Sequence, residues 1–291
     1  MTRINLSSLP APDIIQQLDY NTILIRMRDR LIEILPALDG LTEADPANAI
    51  LEVVAEAEFL LRQQANDHGR GLLLAYATGN NLDQLAAFYN IERLVVDPGD
   101  ANAIPPIAPT YETDERLRDR ILLAFEGQST AGPIGSYKFH GLSADGLVKD
   151  IAVESPSAGV VDVTVLSTEG NGTPTQQIID NVTAALNGDD VRPLTDQVNV
   201  QPATITTYAV DATLTIGEGP DATVVKAQAE AAVQAYVTER HRIGATVSLS
   251  GIYGALHQSG VELVTLTAPV ADIVPNSVTA AYCNSITVGV A

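Results

Sequence analysis

The amino-acid sequence predicts an α+β protein: an N-terminal helical module followed by two small open α+β domains built from strand–helix–strand units. Three observations carry this. Apolar residues recur at helical spacing through much of residues 20–94. From residue 148 onward, stretches such as Val161, Val163 and Val165 alternate with Asp162 and Thr164, as strands buried on one face do. Helical segments separate those stretches, which is the pattern of open layers with helices on a face.

Taken in order, residues 1–12 read as an extended arm, because Pro10 and Pro12 prevent a stable helix while Leu6 and Leu9 leave apolar side chains to lie along another subunit. Asp19 or Asn21 caps a helix from Tyr20 to about Leu35, with Ile23, Met27, Leu31 and Ile34 on one face. Pro36 and Gly40 break it. Asp45-Pro46 opens the next helix, with Asp as N-cap and Pro in the first turn. Its apolar stripe is Ile50, Val53, Val54, Ala57, Leu60 and Leu61, opposed by Glu52, Glu56, Glu58, Arg62 and Asp67. Periodicity alone leaves open whether this stripe packs inside the helical module or also meets the same helix of a neighbouring subunit.

Residues 72–94, LLLAYATGNNLDQLAAFYNIERL, read as a helix, a capped break and a second short helix. Gly79 is the expected left-handed stop, Asn80 and Asn81 the expected caps, and Leu82, Leu85, Ala86 and Tyr89 the apolar face, closed by Asn90. Residues 95–112 hold four prolines and read as a linker or a short strand pair. TDERLRDRI, from Thr113, begins a helix with acids in the first turn and arginines later, and its charges read as a solvated face.

A short helix from Ile134 to Leu142 precedes strands at 148–154 and 159–166, a helix at 175–186 and a strand at 195–200. A second unit follows: a strand at 206–216, a helix at 222–239, a strand at 247–249, a short helix at 252–258 and a strand at 261–266. The similar size of the two units hints at an internal duplication. The apolar tail from Ala271 either adds an edge strand or extends to a neighbour. The expected domains are thus 1–94 (arm and helical bundle module), 95–112 (linker), 113–202 (first α+β domain) and 203–291 (second α+β domain with C-terminal tail).

Composition narrows function. The 291 residues are 46% hydrophobic but 4% aromatic, with no Trp, which suits thin layers better than a ring-lined ligand pocket. The net charge is −20, spread evenly: residues 1–126 carry 20 acids and 10 bases, and residues 127–291 carry 16 and 6. A uniformly acidic surface without a Lys/Arg stripe disfavours nucleic acid and anionic membranes as partners. The single Cys283 excludes an intrachain disulfide and fits a protein made in a cytoplasm. The start, MTRINLSSLPAPDII, lacks a signal pattern, and no run approaches the ~20 apolar residues of a membrane span.

Chemistry is hard to place. His68, His140, His241 and His257 are scattered, with no second His or Cys at ligand spacing, so no metal is expected. His241, between Arg240 and Arg242, reads as a helix C-terminus favouring positive charge. Asp189-Asp190 follows Gly188 in a turn, Glu218 and Asp221 lack the ligand count of a calcium loop, and Gly170-Asn-Gly172 is a turn rather than a phosphate cradle. We therefore expect no catalytic, cofactor or metal residues, and no enzyme. A tail-associated hydrolase acting on cell-wall or surface sugars is the alternative, and it needs an acid pair that the sequence does not place in one cleft. A small-molecule binding module would need a concave site that the sequence does not reveal.

Several segments carry a resemblance. ATGNNLDQLAAFYNIERL (77–94), INLSSLPAPDIIQQLDYNTIL (4–24), TDERLRDRI (113–121), AGPIGSY (131–137), VKDIAVESPSAGVVDVTVLSTEGNGTP (148–174) and RPLTDQVNV (192–200) together resemble, in order, the baseplate J-like proteins of contractile phage tails and R-type tailocins. The resemblance implies a baseplate wedge subunit of a virion tail or tailocin particle, part of a six-fold ring around the tail tube that helps couple baseplate opening to sheath contraction. It implies as partners a second copy of the chain, a smaller wedge protein, and sheath-initiator or tube-surrounding baseplate proteins. It favours an inter-subunit role for the stripe, with Ile50, Val53, Val54, Ala57, Leu60, Leu61, Leu82, Leu85 and Phe88 as interface residues. The C-terminal unit is expected to make wedge-to-wedge contacts. The longer β insertion of larger members is missing here.

Overall fold

A computed structural model of the chain describes residues 10, 18–40, 42, 44–129, 131–217, 219 and 221–291. The expected N-terminal arm, Pro10 apart, and Glu218 of the Gly-rich turn lie outside these residues. The chain divides into two compact units, residues 1–92 and 93–291.

In the first unit, α1 (Tyr20–Ile34) and α2 (Pro46–Gly71) pack as a hairpin. Asp19 is the cap of α1, its carboxylate accepting from the Asn21 amide at 3.0 Å and the Thr22 hydroxyl at 2.6 Å. Asp45 holds the cap position of α2 with a different partner. Its carboxylate accepts from the Thr42 amide (2.7 Å) and hydroxyl (2.8 Å), which closes the preceding turn instead of the helix. The α1–α2 contact is narrow: Ile23 and Ala55 are buried, and so is the polar Asn48, which accepts from Arg28 and donates to Glu52 at 2.6 Å.

The Leu72–Leu94 segment departs from expectation in its first half. α2 already ends at Gly71, and residues 72–78 form turns rather than a helix. The carbonyls of Gly69, Arg70 and Leu73 accept the bonds that close those turns. Gly79 takes the left-handed backbone (φ 52°), but it opens α3 (Gly79–Ala87) instead of ending its predecessor, and Thr78 is the cap residue. The second half is as expected: Leu82 and Ala86 are fully buried, and Asn90, at φ 57°, turns the chain out of the segment.

The second unit begins with β1 (Val95–Asp97) antiparallel to β2 (Thr110–Tyr111), so the proline-rich stretch is the strand pair rather than a free linker. α4 (Asp114–Gly127) is capped by Thr113, and α5 (Ile134–Ser143) packs against it. β3 (Val148–Ser157) and β4 (Val160–Ser167) form an antiparallel pair; α6 (Gln176–Leu186) then crosses over to β5 (Gln197–Pro202), parallel to β4. The core under this sheet joins Ile178, Val182 and Leu186 of α6 to Ile151, Val163, Val165 and Tyr137.

β6 (Thr204–Ile216) is the centre of the last sheet. α7 (Ala222–Arg240) and α8 (Leu249–Leu256) precede its antiparallel neighbour β7 (Val261–Ala268), and β8 (Thr279–Val290) joins the other edge in parallel. The apolar tail is therefore an edge strand. Residues 247–249 do not form a strand: Val247 makes an isolated bridge to Ile273, and Leu249 already belongs to α8. Both sheets have a central strand with one antiparallel and one parallel neighbour. The antiparallel partner comes first in one and after the centre in the other, so the two sheets are not copies in chain order.

Candidate assembly surface

The buried positions of α2 are Asn48 and Ala55, and Leu51, Glu58, Phe59 and Arg62 are among its half-buried ones; this side faces α1. At 3.6 residues per turn, Ile50, Val53, Val54, Ala57, Leu60 and Leu61 lie about half a turn away, on the opposite side. They are exposed: Ile50 and Val53 by 66%, Leu61 by 65%, with Ala57, Val54 and Leu60 also open. The stripe is not the face that holds the helical hairpin together. α1, at 15 residues against 26 for α2, is also too short to reach along the whole of its neighbour. The remaining residues singled out from sequence separate. Phe88 is 85% exposed, Leu85 is half-buried, and Leu82 is fully buried and taken up by the chain's own fold.

Polar clusters with restricted geometry occur elsewhere. In α4 the expected solvated charge run turns half inward. Arg120 pairs with the fully buried carboxylate of Glu112 and donates Nε–H to Ser143 Oγ at 3.0 Å. Arg116, 3.5 Å from the other carboxylate oxygen, donates to the carbonyls of Leu142 (3.1 Å), Asp145 (2.6 Å) and Gly146. Glu112 also accepts from the Leu94 amide at 3.0 Å, and Arg93 donates to the Glu112 carbonyl (2.8 Å) and to Asp114 (2.7 Å). Burial holds the pKa of both Arg116 and Arg120 below the usual guanidinium value, against the pull of Glu112. The signal was present in sequence as Glu112, Arg116 and Arg120 at intervals of four, one face of a helix and its lead-in.

His241 also departs from the reading of its sequence. It ends α7 and is buried, so it is not a surface cation. Its Nε2 lies 3.2 Å from the carbonyl of Asn171, which can only accept, so Nε2 carries the proton. Nδ1 then accepts from the Lys149 ammonium at 2.8 Å. Burial first, and Lys149 second, push the imidazole pKa down to about 4, so the ring is neutral near pH 7. Gly172, at φ 98°, is required for this seat: a Cβ there would stand 2.8 Å from His241 Nε2. Nearby, the Asp150 carboxylate accepts from the Ile243 amide at 3.0 Å, and Leu166 packs on Ala203 and Ala280. These contacts tie the two sheets together. His140 Nε2 donates to the Gly127 carbonyl (2.9 Å), and Asp189 and Asp190 are exposed. Among the described residues no group of three or more His, Cys, Asp or Glu side chains is placed to hold a metal ion, and no helix is long and apolar enough to cross a membrane.

Three family models match the chain in order: the baseplate J-like N-terminal domain over residues 43–100, the baseplate J-like central domain over 129–202 and the baseplate J-like protein C-terminal domain over 208–289. Baseplate protein J of Escherichia phage P2 is 44% identical over 290 residues, which are 97% of this chain and 96% of the phage protein. The chain belongs to the baseplate J-like family. It is therefore a structural baseplate protein of a contractile phage tail, located in the tail baseplate and working with other baseplate components. The baseplate J-like family is structural and not enzymatic, which removes the hydrolase alternative. The first model covers all of α2 and α3; the second covers the β3–β4–β5 sheet and the third most of the β7–β6–β8 sheet. Glu112 and α4 fall between the first and second.

Proposed function

We propose that this baseplate J-like chain is a wedge subunit in which the outer face of α2 is the principal assembly surface. Ile50, Val53, Val54, Ala57, Leu60 and Leu61 dock on a second copy of the chain and on a smaller wedge protein, and Phe88 extends the contact. Wedges then close a six-fold ring around the tail tube, against sheath-initiator or tube-surrounding proteins, and the ring helps to couple baseplate opening to sheath contraction. In this reading residues 1–94 are the bundle module, 95–112 the connection, and 113–202 and 203–291 the two domains, of which the last makes wedge-to-wedge contacts.

The observation that supports the reading is the stripe that stands open among the described residues. Five exposed large aliphatic side chains on one helix face form a patch of the kind that marks an interaction site. Each contributes on the order of 1.5–3 kcal/mol when buried, before the costs of association. The test is Leu60→Glu in the phage or particle. A carboxylate buried at an interface without a partner costs several kcal/mol, so wedge assembly should fail while the α+β domains stay folded by circular dichroism. Particles of normal yield and contractility would remove α2 from the interface.

A further inference from the structure

A cleft of about 430 Å³ opens between β3, the C-terminal end of α7 and β8. Lys149, Gln234, Thr238, His241, Tyr282 and Ser285 are in its lining, and Cys283 stands beside them. No lining residue is acidic, in a chain with 36 Asp and Glu. Lys149 is the centre of this imbalance. Its ammonium bonds to the neutral His241 ring, and among the described residues no carboxylate lies within ion-pair distance of it. The nearest candidate in sequence, Asp150, has its oxygens taken by the amides of Ile151 (2.8 Å) and Ile243 (3.0 Å). Burial first, and the Arg242 charge second, work against the lysine's charged form, with Asp150 pulling the other way. A half-buried cation with two N–H donors left over among the described residues, facing a polar cleft with no acidic lining residue, is a receptor for an anion.

We propose that this cleft binds a compact oxyanion group, a carboxylate or a phosphate, held by Lys149 with hydrogen bonds from the surrounding Gln234, Tyr282 or Ser285. The inference rests on this geometry and is independent of the role given to α2. The group comes either from a free anion or from an acidic side chain of an adjoining baseplate chain, and one reporter separates the sources. Cys283 is the chain's single cysteine and lines the cleft, so its reaction rate with a thiol reagent reads occupancy directly.

For the isolated full chain at constant ionic strength, inorganic phosphate or succinate replacing chloride should slow Cys283 modification along a saturable curve. Lys149→Gln should weaken that protection about tenfold or more, the value of one charge-assisted hydrogen bond. Lys226→Gln, which removes an exposed lysine paired with Glu230, should leave it unchanged. In assembled particles without added anion, protection that Lys149→Gln abolishes assigns the cleft to a neighbour's carboxylate. Protection that appears only on adding phosphate or succinate assigns it to a free anion. A Cys283 rate in the wild-type chain that neither anion nor assembly changes overturns the proposal, and this readout does not depend on how the variant folds.

Discussion

On α6, Ile178, Val182 and Leu186 are all buried beneath the β3–β4–β5 sheet, whereas on α2 the apolar positions Ile50, Val53, Val54, Leu60 and Leu61 stand open. Both helices segregate apolar from polar residues. The difference lies in what the chain supplies to cover them. A three-stranded sheet offers α6 a broad face, while the α1 hairpin partner meets α2 on its other side, through Ala55, Asn48 and a few polar contacts. Amphipathic spacing thus identifies a face that wants cover without saying whether the chain itself provides it.

The largest expected effect separates the two regions physically. A fragment of residues 93–291 should unfold in one cooperative thermal transition, because its sheets and helices close their own cores. A fragment starting at residue 110 should be less stable, since it lacks Arg93 and the Leu94 amide that hold Glu112. Equal melting temperatures would mean that the Glu112 cluster adds nothing at the start of this unit. Within it, Arg120→Met leaves the Glu112 carboxylate buried against a weaker partner set and should cost about 3–5 kcal/mol in denaturant unfolding. A loss under 1 kcal/mol would place these charges in effective contact with water.

The seam between the sheets gives the next effect, a pH dependence. His241 has its pKa lowered to about 4 from an unfolded value of 6.5, so the unfolded chain takes up a proton first. Its contribution is fully present above about pH 6.5 and is lost as pH falls toward 4, by up to about 3 kcal/mol. Burial shifts Asp150 the other way, which stabilises the fold as that carboxyl protonates and offsets part of the loss. The direct check is the imidazole resonance of His241, which should stay neutral down to about pH 4; protonation near 6.5 would show a solvated ring. Gly172→Ala, pressed against His241 and Leu166 at a left-handed backbone, should cost about 1–3 kcal/mol in the same unfolding assay. A neutral outcome would mean that the seam yields easily. The smallest effect is the sharpest contrast: Leu60→Glu should change the stability of the unassembled chain by no more than about 0.5 kcal/mol, because the side chain is already in water. A loss of several kcal/mol would show that the chain itself covers the stripe.

How much of this was legible in the sequence follows the range of the forces involved. Thr113 and Asp19 as caps, the alternation of β4 and Asn90 as the close of its segment are local, set by a few neighbouring residues, and the sequence shows them. The break at Gly71 was missed because Leu72, Leu73 and Leu74 continue a helix-forming composition past the point where turn hydrogen bonds take over. Gly79 was given the right backbone and the wrong end of a helix, since a positive φ fits either side of a break. Arg116, Arg120 and His241 were misplaced for a different reason: their partners lie up to 92 residues away, as Lys149 does from His241. Of the assembly surface, the sequence shows which residues of α2 are apolar; their exposure depends on where α1 packs.

The edge position of β8 sets an order in time. Thr204 at the start of β6 pairs with Thr279, and Leu214 with Val290, so this sheet stays incomplete until β8 has been synthesised. The β3–β4 hairpin, and then β5 at Gln197–Pro202, emerge earlier and close over α6 while synthesis continues. The growing chain therefore carries its middle sheet before the strand position beside β6 is filled. The twelve residues of β8 complete that sheet by a long-range closure that is intrinsically slow. A truncation that removes β8 would leave the parallel edge of β6 open, and the expected result is inclusion bodies rather than a shorter soluble protein.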